Sequence, residues 1–179
     1  MRELLVRYYD DKPEESGLKG KTIFLAGCSV RNPEDKSWRP EAIALFQKFG
    51  FEGTLFAPEL RACGFPDNWD YVVEWEDWHL HRADCILFWI QRDFKKWFGF
   101  TTNIEWGRWE SSGKVVLGSP PGAKKTRYIR YYANKLGIPT SDTIEETVKS
   151  AMEMVAGKAV RLAVPRLGGA KLMSLQRPL

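Results

Sequence analysis

Short apolar runs alternate with amphipathic stretches along most of the chain. Runs that are nearly uniformly apolar and bounded by glycine or polar residues predict buried strands, and they are TIFLAG, GTLFAPE, CILFWI and KVVLG. Segments with apolar residues at helical spacing predict helices, and they are SWRPEAIALFQKFG, WDYVVEWEDWHLHRA, TTNIEWGRWESSG, TRYIRYYANKLG and TIEETVKSAMEMVAG. Residues 4–9 predict an additional edge strand.

This alternation predicts an α/β fold. Strands that are apolar throughout are expected where helices cover both faces of a parallel sheet. We expect a single doubly wound, flavodoxin-like domain over residues 21–157, with a mostly parallel sheet of four to five strands flanked by helices. Residues 1–20 would add the edge strand and a loop. Residues 158–179 carry five basic and no acidic side chains, and we expect either a flexible tail or an arm that docks on a partner subunit.

Composition narrows the classes of protein. The chain has 179 residues, 44% hydrophobic and 28% charged, with a net charge of +4, which fits a globular domain rather than a disordered chain. Three cysteines without CxxC spacing indicate neither a disulfide framework nor a zinc ribbon and favour a reducing, cytoplasmic location. No apolar run approaches the roughly 20 residues that span a bilayer. With two histidines and no ligand-spaced set, no metal site is expected.

Tryptophan is unevenly distributed. Seven of the eight tryptophans fall between positions 69 and 109. We expect most of them to pack in the core or at a subunit interface, and one or two to contact a ligand through their flat faces.

The candidate nucleophile is Glu105. In a parallel α/β sheet, ligands bind beyond the carboxyl ends of the strands, and Glu105 lies near the start of the helix that follows CILFWI. A helix N-terminus favours an ionised carboxylate, and Thr101, Thr102 and Asn103 add polar groups beside it. Such a carboxylate can attack an anomeric carbon. The alternative is an ordinary first-turn glutamate.

Several segments together resemble the nucleoside 2-deoxyribosyltransferase-like family. The segments are IFLAGCSVR, SWRPEA, a strand ending in PE, WEDWHLHRADCILFWIQR, GFTTNIEWG and KVVLGSPPGAKK. The resemblance implies that the glutamate of an E-x-G sequence attacks C1′ of a nucleoside, releases the base and forms a glycosyl ester. Glu105, followed by Trp106 and Gly107, matches that glutamate.

The resemblance also implies roles for two further carboxylates. Glu76 stands where relatives carry a carboxylate that contacts the sugar or protonates the leaving base, and a buried carboxylic acid suits that task. The alternative for Glu76 is an exposed helix position. Asp84 is grouped with the substrate-binding residues, and its alternative is to begin a strand and bind backbone groups.

The loop after TIFLAG bears on the substrate. Ser29-Val30-Arg31 resembles the S-x-R element with which related N-glycoside hydrolases bind a 5′-phosphate, and Gly27 is grouped with it as a substrate-binding position. Arg31 serves equally well as a surface ion-pair partner. A basic cluster follows KVVLG and is either a solvated face or a phosphate site: Lys124, Lys125 and Arg127.

One position departs from the family pattern. Relatives often carry a tyrosine where this chain has Phe24, and its hydroxyl would donate to the nucleophile. Threonines near Glu105 are an alternative donor; without the tyrosine hydroxyl, hydrolysis competes with transfer to a free nucleobase. The resemblance implies a nucleoside or 5′-nucleotide substrate, no cofactor, and a homodimer or larger homo-oligomer. The alternative is a non-catalytic module that binds a nucleotide or ADP-ribose. Modest charge and the acidic residues 74–77 in the proposed cleft argue against nucleic acid.

Overall fold

The computed structural model describes residues 4–11, 17–30, 32, 34–62 and 64–157. Six strands run through this part of the chain: β1 (Leu5–Arg7), β2 (Lys21–Gly27), β3 (Gly53–Phe56), β4 (Cys85–Trp89), β5 (Val115–Gly118) and β6 (Thr140–Ser141). Five α-helices accompany them: α1 (Arg39–Lys48), α2 (Trp69–Arg82), α3 (Phe100–Trp109), α4 (Arg127–Lys135) and α5 (Ile144–Val155). Arg31 and the basic segment 158–179 lie outside the described residues.

The strands form one sheet in the order β1-β3-β2-β4-β5-β6, and every pair is parallel. The predicted α/β fold with a flavodoxin-like parallel sheet is therefore confirmed. The described part of the sheet has six strands rather than four to five. The extra strand, β6, is two residues long and joins through Leu117 opposite Thr140, so it has no apolar run that a sequence pattern would reveal.

Helices cover both faces of the sheet, which explains the uniformly apolar strands. In β2, Ile23 and Leu25 pack on one face against α1 and α5. Phe24 and Ala26 point to the other face, where α2, α3 and α4 lie. Successive side chains of a strand alternate between faces, so each residue of β2 enters one of two cores.

Strand order decides where a cleft opens. The chain moves from β2 to β3 on one side and later places β4 on the other side of β2. Loops that leave adjacent strands in opposite directions leave a crevice at their carboxyl ends. Within the described residues, no helix is long and apolar enough to cross a membrane.

Candidate active site

A cleft lies beyond the carboxyl end of β2, between α2 and α3. Its empty space, open mouth included, amounts to about 670 Å³. The lining residues come from the end of β2, the loops after β2 and β3, the start of α1, from α2, and from α3 with the residue before it: Ala26, Gly27, Ser29, Arg39, Pro58, Phe65, Trp69, Val72, Val73, Glu76, Gly99, Phe100, Thr101, Thr102 and Glu105. The cleft thus occupies the place that the strand order predicts for a ligand.

Glu105 reaches this cleft because of the way α3 begins. Gly99 precedes the helix with a φ of +64°, in the left-handed region. A Cβ atom at Gly99 would lie 2.6 Å from Sγ of Cys28. A side chain here would therefore strain the backbone and displace the loop that follows β2. The tight start brings the second turn of α3 over the sheet edge, and Glu105 is partly buried there.

Glu76 faces Glu105 from α2, and Tyr9 holds it in place. The Tyr9 hydroxyl donates a 2.5 Å hydrogen bond to Oε1 of Glu76. Tyr9 is 2% exposed, and its ring packs edge-on against Trp75 at 5.0 Å. Burial and the neighbouring Glu76 carboxylate raise the pKa of Tyr9, so its hydroxyl remains a donor.

The two carboxyl groups affect each other's ionisation. Burial, followed by the charge of Glu76, raises the pKa of Glu105 to about 8. Burial also raises the pKa of Glu76, while donation from Tyr9 and the charge of Arg39 oppose the rise. Two close carboxylates in a desolvated site cannot both ionise easily. The direction of the shift at Glu105 is opposite to the ionised state expected near a helix N-terminus, because burial and the charge of Glu76 outweigh the helix dipole.

A buried cation, Arg39, partly offsets the negative charge of this carboxyl pair. Arg39 is 1% exposed; its Nε donates to the carbonyl oxygen of Leu25 at 3.0 Å, and its Nη1 lies 3.3 Å from Oε2 of Glu59. Ser37 donates to the same Glu59 oxygen at 2.6 Å. The charge of Arg39 opposes the rise in pKa of both cleft carboxyl groups.

Most of the predicted site residues meet in this cleft. Gly27, Ser29, Thr101 and Thr102 line it together with the two glutamates. Of the seven clustered tryptophans, Trp69 lines the cleft and is 51% exposed, whereas others such as Trp75 and Trp106 are core residues. Trp69 is the one of these seven that lines the cleft, and contact between it and a ligand stays a prediction.

Two predicted site residues lie elsewhere. Asp84 precedes β4, and a residue that precedes a parallel strand lies at the amino edge of the sheet, opposite the cleft. Its carboxylate accepts hydrogen bonds from the backbone N–H of Thr22 at 2.9 Å and from the Thr22 hydroxyl at 3.1 Å, which is the structural alternative for this residue. Asn103 lies on α3 but its Oδ1 accepts a 2.6 Å hydrogen bond from Arg92, in a cavity on the other side of the helix.

The sequence patterns missed Tyr9, Arg39 and Glu59. Phe24, which stands at the family's tyrosine position, is 1% exposed in the core. Tyr9, just after β1, brings a hydroxyl to Glu76 instead, because β1 runs parallel to β3 and its carboxyl end therefore reaches the cleft. The edge-strand pattern of residues 4–9 is the signal for Tyr9, but a local pattern determines neither the partner nor the direction of a strand.

No protein-family model matches the chain, and no curated protein matches it significantly.

Proposed function

We propose that this chain is an enzyme of the nucleoside 2-deoxyribosyltransferase type that cleaves the N-glycosidic bond of a nucleoside, deoxynucleoside or 5′-nucleotide. The observation that supports this best is that Glu105 and Glu76 line one cleft at the carboxyl edge of the sheet, where burial raises the pKa of both carboxyl groups. A glycosidic bond requires a nucleophile and an acid, and one shared proton on two carboxyl groups supplies both.

The first half-reaction uses this proton. As the glycosidic bond stretches, positive charge develops at C1′ and favours the ionised form of Glu105. The proton then resides on Glu76, which delivers it to the departing base nitrogen. A carboxylate oxygen of Glu105 forms a bond to C1′ while the electron pair of the broken bond leaves with the base.

The second half-reaction reverses these roles. Glu76, now ionised, removes a proton from water or from an acceptor base, and the oxygen or nitrogen attacks C1′. The C1′–O bond breaks and restores the Glu105 carboxylate. Tyr9 holds Glu76 by donation throughout, because its hydroxyl remains protonated. Tyr9 donates to Glu76 and not to the nucleophile, so it does not replace the hydroxyl that Phe24 lacks, and hydrolysis competes with transfer.

The test measures base release from a panel of nucleosides and 5′-nucleotides, with and without a free acceptor base. We expect Glu105→Gln to lower the rate at least about 10³-fold. Glu74→Gln is the matched control, because Glu74 is an exposed residue of α2 two positions from Glu76. A 2′-fluoro substrate that slows ester breakdown should raise the mass of the wild type by one sugar.

Two results would oppose the proposal. Unchanged base release by Glu105→Gln would remove the nucleophile. Tight binding of a nucleotide or ADP-ribose without any cleavage would favour the alternative, a non-catalytic binding module.

The resemblance also implies a homodimer or larger homo-oligomer, and the cleft rim supports it. Trp69 and Val73 on α2 and Phe100 and Ile104 on α3 are between 51% and 74% exposed beside the mouth. Contiguous exposed apolar side chains often mark an interface. Sedimentation at assay concentration should show a dimer or larger species, and a fully active monomer would oppose this part of the proposal.

A further inference from the structure

A second cavity lies on the other side of α3. It opens between α3 and α4, beyond the carboxyl ends of β4 and β5, and has about 940 Å³ of empty space including its mouth. Its lining residues come from the loops after these strands and from the two helices: Arg92, Phe94, Phe100, Asn103, Trp106, Gly107, Glu110, Lys125, Tyr128 and Ile129. Nothing in the proposed two-carboxyl reaction uses this cavity.

Three aromatic side chains line the cavity yet remain open to solvent. Phe94 is 39% exposed, Phe100 is 62% exposed and Tyr128 is 71% exposed. Exposed rings gathered in one concave site are suited to stacking on a planar group. The charged lining residues are Arg92, Lys125 and Glu110, so the lining is positive on balance and favours a ligand that carries negative charge.

Arg92 fixes the walls of the cavity. It is 3% exposed, and its guanidinium donates to the carbonyl oxygens of Phe98 at 2.8 Å, Gly99 at 3.1 Å and Lys125 at 3.3 Å. A fourth hydrogen bond reaches Oδ1 of Asn103. The start of α3 and the loop before α4 are therefore joined through one buried cation, and the cavity between them is preorganised.

The backbone beside the cavity adopts an uncommon conformation at two positions. Phe94 and Lys125 have φ values of 63° and 53°, and they are the two non-glycine residues with positive φ in the described part of the chain. Both line this cavity. Left-handed conformations of non-glycine residues cost free energy and concentrate at ligand sites.

The cavity adjoins the cleft that holds Glu105. Phe100, the first residue of α3, lines both. A ligand that passes over the start of α3 can therefore contact both sides of the helix, with one part near Glu105 and another beside Tyr128.

We propose that the second cavity binds a second planar aromatic group of the same substrate, joined through an acidic linker to the sugar that Glu105 attacks. The substrate class is then a nucleotide extended by a further aromatic unit, such as two nucleosides linked through phosphates. This inference rests on the proposed function, because it takes the Glu105 cleft as the sugar site.

The test compares the binding of two probes, adenosine 5′-monophosphate and diadenosine diphosphate, to full-length Glu105→Gln protein by calorimetry. We expect diadenosine diphosphate to bind about tenfold more tightly, as one added base–aromatic stack allows. Tyr128→Ala and Phe94→Ala should each remove most of this advantage and leave binding of the monophosphate unchanged. Tyr131→Ala is the matched control, because Tyr131 is 62% exposed on α4 and lines a different groove.

Several outcomes would overturn the inference. They are equal affinity for the two probes, no binding of either probe, or an advantage that survives Tyr128→Ala. Loss of a dimer in Tyr128→Ala with probe affinities unchanged would identify the surface as a contact between copies instead.

Base release by the wild type, measured on both probes, separates the two proposals. Cleavage of the monophosphate without preference for the longer probe would overturn only the inference about the second cavity. Binding of the longer probe through Tyr128 without cleavage of any nucleoside would overturn the proposed function and retain the site.

Discussion

The Tyr9 hydroxyl donates a 2.5 Å hydrogen bond to Oε1 of Glu76, across 67 positions of sequence. This bond joins the N-terminal edge strand to the helix that carries the proposed acid. It stabilises the ionised form of Glu76 and so opposes the effect of burial on its pKa. Tyr9 therefore influences which carboxyl group of the pair is protonated.

Replacing Tyr9 with phenylalanine should change the pH dependence of the reaction. Without the donor, the pKa of Glu76 rises further, so the pH–rate profile of the carboxyl pair should move to higher pH. We expect kcat/KM to fall about tenfold at neutral pH. Tyr8→Phe is the control, since Tyr8 packs with the opposite core of the sheet. An unshifted profile in Tyr9→Phe would mean that this hydroxyl does not control the pair.

Glu76→Gln should separate acid catalysis from binding. The introduced amide oxygen can still accept the hydrogen bond from Tyr9, but the group cannot deliver a proton. We expect kcat to fall about 10²- to 10⁴-fold for a natural base, and to fall much less for a nucleoside whose leaving base is more acidic. Base release should be measured with both kinds of substrate. Equal losses on the two substrates would argue against proton donation by Glu76.

Glu105→Gln should make the protein more stable at alkaline pH. The pKa of Glu105 is raised from 4.5 to about 8 in the folded chain, so folding favours the protonated form. The resulting stability is complete below pH 4.5 and is lost as pH rises through about 8. An uncharged amide removes this loss. Thermal unfolding between about pH 5 and 9 should give a Tm for Glu105→Gln that exceeds the wild-type Tm by roughly 3 °C or more at the alkaline end. Parallel curves for the two proteins would contradict the raised pKa.

Asp84→Ala should affect stability and spare catalysis. The carboxylate accepts two hydrogen bonds from Thr22 and pairs with Lys21 at 3.2 Å, at the sheet edge opposite the cleft. We expect the free energy of unfolding to fall by about 1–3 kcal/mol, because the amide of Thr22 loses its side-chain acceptor. The value of kcat should stay within about twofold of the wild type below the unfolding transition. A large loss of kcat in a folded Asp84→Ala protein would restore its predicted substrate role.

Much of the fold followed from local patterns. Apolar runs such as that of β2 identify strands covered on both faces, and their alternation with amphipathic segments implies parallel connections. The residues that follow a strand lie at its carboxyl edge, so the places of Gly27, Ser29 and Thr102 beside the cleft could be predicted. Asp84 precedes its strand and therefore lies at the other edge. Strand direction is thus better evidence for the place of a residue than a match to a family segment.

The sequence by itself determined the α/β architecture and the two glutamates that α2 and α3 carry to the same edge of the sheet. Tertiary structure alone decided which groups surround them. Tyr9 reaches Glu76 because β1 pairs with β3 in parallel, and Arg39 lies beneath the pair because Leu25 and Glu59 bind its guanidinium. Local spacing determines the strand or helix to which a residue belongs, whereas lateral strand order and burial depend on contacts between distant segments. The raised pKa of Glu105 is a product of that burial, and no local pattern contains it.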